Sequence, residues 1–389
     1  MSRRTFSNSS LLLDKRIIAL ICTLAGGMGQ GVVAPKLPEL LHNSSRLALE
    51  SGLSATIMYF GIYISTFRFG KMADRGQVHR VLTGGLWGYC LSLLCIGFAP
   101  GDLSLFAARF LEGLSLSAVF VAADFLLGRL SASGERGAWL SYYGVALSVG
   151  LLLGPALALL APQLAAAAGA GPAFASKPWL PMALVAGLVL LLSTGTSGIR
   201  VAAAAEGAPP AGKLPRGPLL VGSAYGFLEA ALVAVLPVLA VLEFHIKPEY
   251  CLIAVILSAA LFSVFWGKAV DRVGAKKIIF WLLGIMVAGD LLLLLAHNYI
   301  SGAALAYASC VLYGALAGGL YPTGFAWLLE GVSETAYGHA SGGFARAYCL
   351  GSLFGPVAVG LAASAFSSAG LFVMMAALGL TVLLSLKAG

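Results

Sequence analysis

Charge is scarce in this chain. Only 10% of its 389 residues are Asp, Glu, Lys or Arg, against about 25% in an ordinary soluble domain, which excludes a water-soluble globular protein. Histidine is sparse as well. His42, His79, His245, His297 and His339 lie near span ends or in loops, without metal-ligand spacing and without a serine or cysteine to activate. The six cysteines, Cys22, Cys90, Cys95, Cys251, Cys310 and Cys349, fall in or beside apolar segments at no metal-binding spacing and read as small apolar side chains. No G-x-x-x-x-G-K-[ST] sequence is present, so direct ATP coupling is not expected. No room remains for a soluble catalytic domain. The longest polar connection runs from Ser197 to Arg216 and is rich in Ala and Pro, as a linker is. No cleavable leader is expected, because the first apolar segment is long and lacks an early small-residue cleavage site.

What the chain has is apolar length. Hydrophobic residues make up 59% of it, and the mean hydropathy is +0.93. Since roughly 20 apolar residues cross a bilayer as a helix, the sequence predicts an all-α integral membrane protein of twelve spans. They fall at 17–40, 53–71, 80–99, 103–127, 138–161 and 178–198, then 217–241, 250–267, 278–296, 302–329, 338–362 and 366–386. Lys and Arg are distributed unevenly between the connections. With the N-terminus in the cytoplasm, Arg3, Lys15, Arg75, Arg80, Arg129, Arg200, Arg216, Arg272, Lys276 and Lys387 are among many that fall inside, whereas Arg46, Lys177 and Lys247 fall outside. The expectation is a protein of the inner (cytoplasmic) membrane with both termini in the cytoplasm. The net charge of +8 follows from that topology and does not point to nucleic acid.

The two halves repeat one another. Gly70, Asp74 and Arg75 in RFGKMADRGQVHR return as Gly267, Asp271 and Arg272 in FWGKAVDRVGAKK; Leu37-Pro38 returns as Leu236-Pro237; and GLLLGP, with Gly154 and Pro155, returns as GSLFGP, with Gly355 and Pro356. The separations cluster between 197 and 201 residues. Such a duplication predicts two six-helix halves related by a pseudo-two-fold axis, 1–198 and 217–389, joined by a cytoplasmic linker at 199–216.

Twelve spans with G-x-x-x-D-R after the second and the eighth resemble the major facilitator superfamily, and the resemblance covers essentially the whole chain. The second copy matches the family's loop pattern at Gly267, Asp271, Arg272, Gly274, Lys276 and Lys277, while the first is one residue shorter before its glycine, Gly76. A charge cluster beside a tight glycine turn can hold the cytoplasmic side closed. Gly150 to Pro155 resembles the antiporter motif of the drug/proton branch, and the resemblance implies gating roles for Gly154, Pro155, Gly355 and Pro356. Leu105, Arg109 and Gly113 match a further pattern, with Glu112 in place of a glutamine, and imply a part for Arg109 in proton coupling. It also suggests Asp124 as a gate partner of Arg75 or Arg80. Two residues three apart, Arg109 and Glu112, can pair on one helix face.

Glu229 lies eight residues before Pro237 and Gln30 eight residues before Pro38, so the repeat places both near the bilayer midplane, facing across the axis. No acid precedes Glu39 on the first span, which moves the expected proton coupling to Glu229 and Glu112. Gln30, Tyr225, Glu229, Tyr313, Tyr321 and Arg346 are the expected cavity residues, with Arg346 facing an anionic substrate group or pairing with Glu330. Asp290 carries less weight, because the ninth span resembles the family's peripheral helices. The expected protein is a monomeric secondary transporter, a proton-coupled exporter of small organic or amphiphilic molecules that works by rocker-switch alternating access. It takes no metal or other cofactor beyond the proton gradient. Two alternatives keep the fold: a lipid or lysolipid transporter, and a proton-coupled uptake symporter for an organic anion, suggested by Arg109 and Arg346.

Overall fold

A backbone surrounded by lipid must satisfy its own polar groups, and helices do so within each segment. The computed structural model describes residues 14–41, 46–130, 136–175, 177–196, 214–300, 302–332 and 337–388. Its helices are α1 (Lys15–Leu40), α2 (Leu47–Met72), α3 (Val78–Gly97), α4 (Asp102–Leu130), α5 (Arg136–Ala167), the four-residue α6 (Pro172–Ala175), α7 (Leu180–Gly195), α8 (Arg216–Leu239), α9 (Pro248–Val273), α10 (Ala275–Ala296), α11 (Gly302–Glu330) and α12 (Tyr337–Ala388). Ten of them are long and apolar enough to cross a membrane, and α7 is a shorter apolar helix. Helix α12 is two helices in series. Its arms, 337–366 and 368–388, meet at Ser367, whose φ of 54° and ψ of −138° break the helical path. The second arm is capped from a distance: Glu243 accepts a hydrogen bond from the Ser368 amide at 2.8 Å and another from its hydroxyl. Counting the arms separately, the described residues supply twelve apolar helices for the twelve expected spans. The linker lies almost wholly outside the described residues.

Local sequence explains the ends that matter. Asp14 caps α1 by accepting from the Arg16 amide at 3.0 Å, and the Arg16 guanidinium, 2.7 Å away, holds the Asp14 carboxyl below its usual range. Arg16 also lies over the Trp139 ring at 4.3 Å, which ties the start of α1 to α5. Both loop-motif glycines take left-handed backbone, with φ of 77° at Gly76 and 91° at Gly274, where a side chain would be strained. The shorter spacing of the first copy is absorbed by a π turn, Ala73–Gln77, between α2 and α3. The second copy instead ends α9 cleanly at Gly274. Backbones of Asp74 and Asp271 are placed, but their side chains lie outside the described residues.

Helix pairing repeats as the sequence does. Helix α1 packs on α5, α2 on α4, and α3 on both α4 and α7; correspondingly α8 packs on α12, α9 on α11, and α10 on both α11 and α12. The GLLLGP and GSLFGP motifs make the first pair of contacts. A Cβ on Gly154 would stand 2.5 Å from the Met28 carbonyl oxygen, and one on Gly355 would collide with the Phe227 carbonyl. Gly154, Pro155 and Gly355 thus pack within the first six or the last six helices. Pro356 reaches across, with its carbonyl against Gly52 of α2.

Contacts between the two sets of helices gather at the end where α1 finishes and α2 begins. There the Leu49 amide donates to Ser364 Oγ at 2.9 Å, Thr56 Oγ1 to the Leu353 carbonyl at 3.1 Å, and Ser51 Oγ to the Ala234 carbonyl. Lys36 bridges Glu39 at 2.9 Å and Glu249 of α9 at 3.3 Å, with Glu249 only 3% exposed. Toward the opposite end Tyr63, Arg68, Asp124, Tyr142 and Arg346 are exposed. The molecule is closed at one end and open at the other.

Gly355→Val should cost about 1–3 kcal/mol by overpacking and lower the thermal unfolding temperature of the detergent-purified protein by several degrees. Gly144→Ala, on α5 with open space around it, should leave it unchanged or raise it slightly, which separates close approach from helix propensity.

Candidate transport cavity

Helical spacing builds the site. Tyr225 and Glu229 are four apart on α8 and share a face, and that face meets the first arm of α12. There the Tyr348 hydroxyl donates to Glu229 Oε2 at 2.5 Å. The Tyr225 ring centroid lies 5.1 Å from that of Tyr321 on α11 and 5.7 Å from that of Tyr348, and Tyr321 stands 6.4 Å from Tyr348. Helices of the first six complete the enclosure. Tyr59 of α2 stands beside the Tyr348 hydroxyl, while Tyr143 of α5, packed edge-on to Phe120 at 6.3 Å, lies within electrostatic reach of Asp124 and Tyr321. The result is a box of five tyrosines drawn from α2, α5, α8, α11 and α12, with a half-buried carboxylate at its base.

Arg346 lies on the first arm of α12, outside the contacts that build this box. The stripe of α12 that faces α2 is fixed by Leu353, Pro356, Gly360 and Ser364. Continued toward the open end at spacings of three and four, that stripe passes through Cys349 and Arg346. Arg346 is exposed there, and its one hydrogen bond is a long one, 3.4 Å from Nε to the Gly342 carbonyl. It pairs neither with Glu330 nor with any other described acid. Asp124, exposed on α4, likewise has no hydrogen bond or ion pair among the described residues. The expected pairing of Asp124 with Arg75 or Arg80 is therefore not made. The physical reason is the open end itself, which leaves these groups to solvent.

Arg109 and Glu112 do pair. They form an ion pair on α4 with Arg109 5% and Glu112 0% exposed, and Arg109 Nε and Glu112 Oε1 are left without a hydrogen-bond partner. Tyr89 of α3 lies in their field and donates to the Gly26 carbonyl on α1 at 2.8 Å. Gln30 is half-buried on α1 and does not bond to Glu229, whose partner is Tyr348.

Tyr313 must be moved out of the cavity. It is fully buried between α10 and α11, and its hydroxyl donates to Asp290 Oδ1 at 2.6 Å. Asp290 is equally buried, so the ninth span is not merely peripheral at this point. Sequence reasoning also passed over Tyr348 and Glu249. Tyr348 carries a signal, three residues ahead of Gly351 in the repeated motif, whereas Glu249 in the first turn of α9 reads simply as a favourable helix-end charge. Two recesses of about 540 and 810 Å³ open elsewhere, between α3 and α4 and among α9, α10 and α11. Both are lined by apolar side chains on the outer flanks and hold none of these polar groups.

A membrane-embedded cavity between two similarly paired sets of six helices is the architecture of a secondary transporter. Residues 19–260 and 218–388 match the Major Facilitator Superfamily. The chain belongs to that superfamily and is a multi-pass membrane protein. It is 33% identical over 141 residues to the tetracycline resistance protein, class B, of Escherichia coli, a stretch covering 36% of this chain and 35% of that protein. It is 28% identical over 151 residues to the multidrug resistance protein MdtG of Escherichia coli (strain K12 / DH10B), covering 39% of this chain and 37% of MdtG. These alignments span little more than a third of the curated relatives. Among solved structures it resembles a D-xylose-proton symporter, with a TM-score of 0.75 at 16% identity over 95% of this chain and 96% of that one. It also resembles an inward-facing bacterial homolog of the human lysosomal transporter Spinster, with a TM-score of 0.70 at 15% identity over 92% of this chain and 82% of that one. At these identities the likeness is one of fold.

Removing one partner of a buried ion pair strands the other, at about 3–5 kcal/mol. Glu112→Gln should therefore lower the unfolding temperature of the purified protein markedly. The double replacement Arg109→Met with Glu112→Leu should recover most of the loss, and a double variant no better than the single one would show that the pair is not the cause.

Proposed function

We propose that this transporter is a proton-coupled exporter of small organic molecules, of the drug/proton antiporter branch, in the inner membrane with both termini in the cytoplasm. One observation carries the reading: Glu229, a carboxylate at membrane depth, sits on the tyrosine-lined face between the two sets of helices and is held by the Tyr348 hydroxyl at 2.5 Å. An ionisable group in a transmembrane cavity marks a substrate or proton path, and aromatic faces around it attract cations. The relatives named for tetracycline and multidrug resistance support export. The distribution of Lys and Arg supports the cytoplasmic placement of the open end.

In the proposed cycle, 1–198 and 217–389 move as two bodies joined by the linker at 199–216. Substrate enters the open cavity from the cytoplasm as Glu229 gives up its proton. Rocking closes that end, where Asp74, Arg75, Asp124, Asp271 and Arg272 gather, and opens the end held by Lys36 and Glu249. Protonation of Glu229 from outside then displaces substrate and resets the carrier. Arg109 and Glu112 serve the coupling through the first set of helices. The motif segments around Gly154–Pro155 and Gly355–Pro356 transmit the motion, and the protein acts as a monomer driven by the proton gradient alone.

Retention of a fluorescent lipophilic cation in energised cells provides the test. Cells producing the protein should retain less dye than cells without it, and either a protonophore or Glu229→Gln should abolish the difference. A Glu229→Gln protein that is present in the membrane and still exports the dye against its gradient would remove Glu229 from the mechanism.

A further inference from the structure

The contact between α2 and the first arm of α12 ends in a rung to which Glu229 is attached. On α2 the contacting residues are Leu49, Gly52, Thr56 and Tyr59, at steps of three and four that keep to one helix face. Their partners on α12 are Ser364, Pro356, Leu353 and Tyr348. One turn beyond Tyr59, Tyr63 is exposed. The backbone of Tyr348 is fixed against α8: a Cβ on Gly226 would collide with the Tyr348 carbonyl, and Ser352 Oγ donates to the Gly226 carbonyl at 3.2 Å. From that position its hydroxyl meets Glu229 Oε2 at 2.5 Å and Tyr59 across the boundary between the two sets of helices. A phenol has one hydrogen to give and an oxygen that accepts. With the Tyr348 hydrogen given to Glu229, its oxygen is left for the Tyr59 hydroxyl, and a bond donated to an ionised carboxylate strengthens the next one in the chain. Around the link stand Tyr225, Tyr321 and Cys349, which are neutral at pH 7, and Arg109, which stays charged beside Glu112. The charge that can change at the link is therefore that of Glu229.

We propose that Tyr348 is a positioning residue that locks the empty, ionised carrier: while Glu229 holds neither proton nor cargo, the chain from Tyr59 through Tyr348 to Glu229 keeps α2 on α12 and the closed end shut. A proton on Glu229, or a cationic cargo against it, satisfies the carboxylate and weakens the chain, so either one frees the two sets of helices to rock. Obligatory exchange follows, because the form that cannot cross is the one carrying neither. The lock rests on the reading of Glu229 as the coupling acid, and it adds to that reading the device that keeps protons from leaking.

Proton flux without cargo tests the lock. Liposomes containing the full-length protein and enclosing pyranine, with valinomycin and potassium to balance charge, should pass protons under an imposed pH gradient scarcely faster than protein-free liposomes. Tyr348→Phe and Tyr59→Phe each lose one hydroxyl, and each should raise that flux several-fold, because the ionised empty carrier can then return. Adding Glu229→Gln to Tyr348→Phe should restore the low flux. A merely structural hydroxyl would lower the unfolding temperature without opening a proton path that depends on Glu229. A Tyr348→Phe flux no higher than that of the unmodified protein, or a rise with Tyr348→Phe that Tyr59→Phe does not share, overturns the lock. If the unmodified protein still expels dye from cells in a Glu229-dependent way, the exporter reading survives that result. A raised flux that persists with Glu229→Gln puts the proton elsewhere and removes both. A Glu229-dependent rise in a protein that expels no dye upholds the lock and counts against the exporter reading alone.

Discussion

Everything functional in this molecule depends on where α2 and the first arm of α12 touch. Their close approach at Gly52 and Pro356, with the hydrogen bonds from Leu49 and Thr56, pins the two sets of helices together at one end. Toward the other end Tyr63 of α2 and Arg346 of α12 are exposed. Small residues make such a contact possible, since lipid supplies no hydrophobic drive between helices and association relies on packing and polar contacts. The contact is also made of weak parts. Two or three hydrogen bonds at about 1 kcal/mol each and one ion pair whose attraction is largely offset by desolvation are strong enough to favour one closed end and weak enough to exchange for another.

Within each set of helices the polar contacts are of another kind. Tyr89 and Glu112 in the first set stand 201 residues before Asp290 and Tyr313 in the second, the same separation as between Gly154 and Gly355. The repeat has thus kept a buried tyrosine and a buried acid at matching positions while exchanging which helix carries the acid. In the first set the acid is on α4 and pairs with Arg109, while the tyrosine on α3 reaches the Gly26 carbonyl. In the second the acid is on α10 and receives the tyrosine hydroxyl of α11 directly. Breaking either would leave a polar group in an apolar interior, which is costly. These links resist distortion inside a set far more than the solvated charges at the open end resist motion between sets.

Much of this was legible in the sequence. The twelve apolar helices, the repeat and the glycine turns at Gly76 and Gly274 follow from apolar length and spacing. Rotation about a helix axis does not follow from the same signals. Tyr313 and Tyr321 share α11 and are both aromatic in an apolar helix, yet one faces Asp290 and the other the cavity. A helix apolar nearly all round gives no stripe from which to read a facing direction. Partners across the chain were hidden for a related reason. Lys36 and Glu249 come together only when α1 and α9 are packed.

The same reasoning bears on what distinguishes a coupling acid from a structural one in this fold. Glu112 and Asp290 are wholly buried, each facing partners within its own set of helices, so a rigid-body motion of one set against the other changes little around them. Glu229 differs on both counts. It is half-buried, and the side chains around it come from α8 and α12 on one side and, through Tyr59, from α2 on the other. Relative movement of the two sets must alter its access to water and the groups that face it. A proton site can be coupled to such a movement only if its surroundings change with it, and by that criterion Glu229 is better placed than the two acids that are more deeply buried.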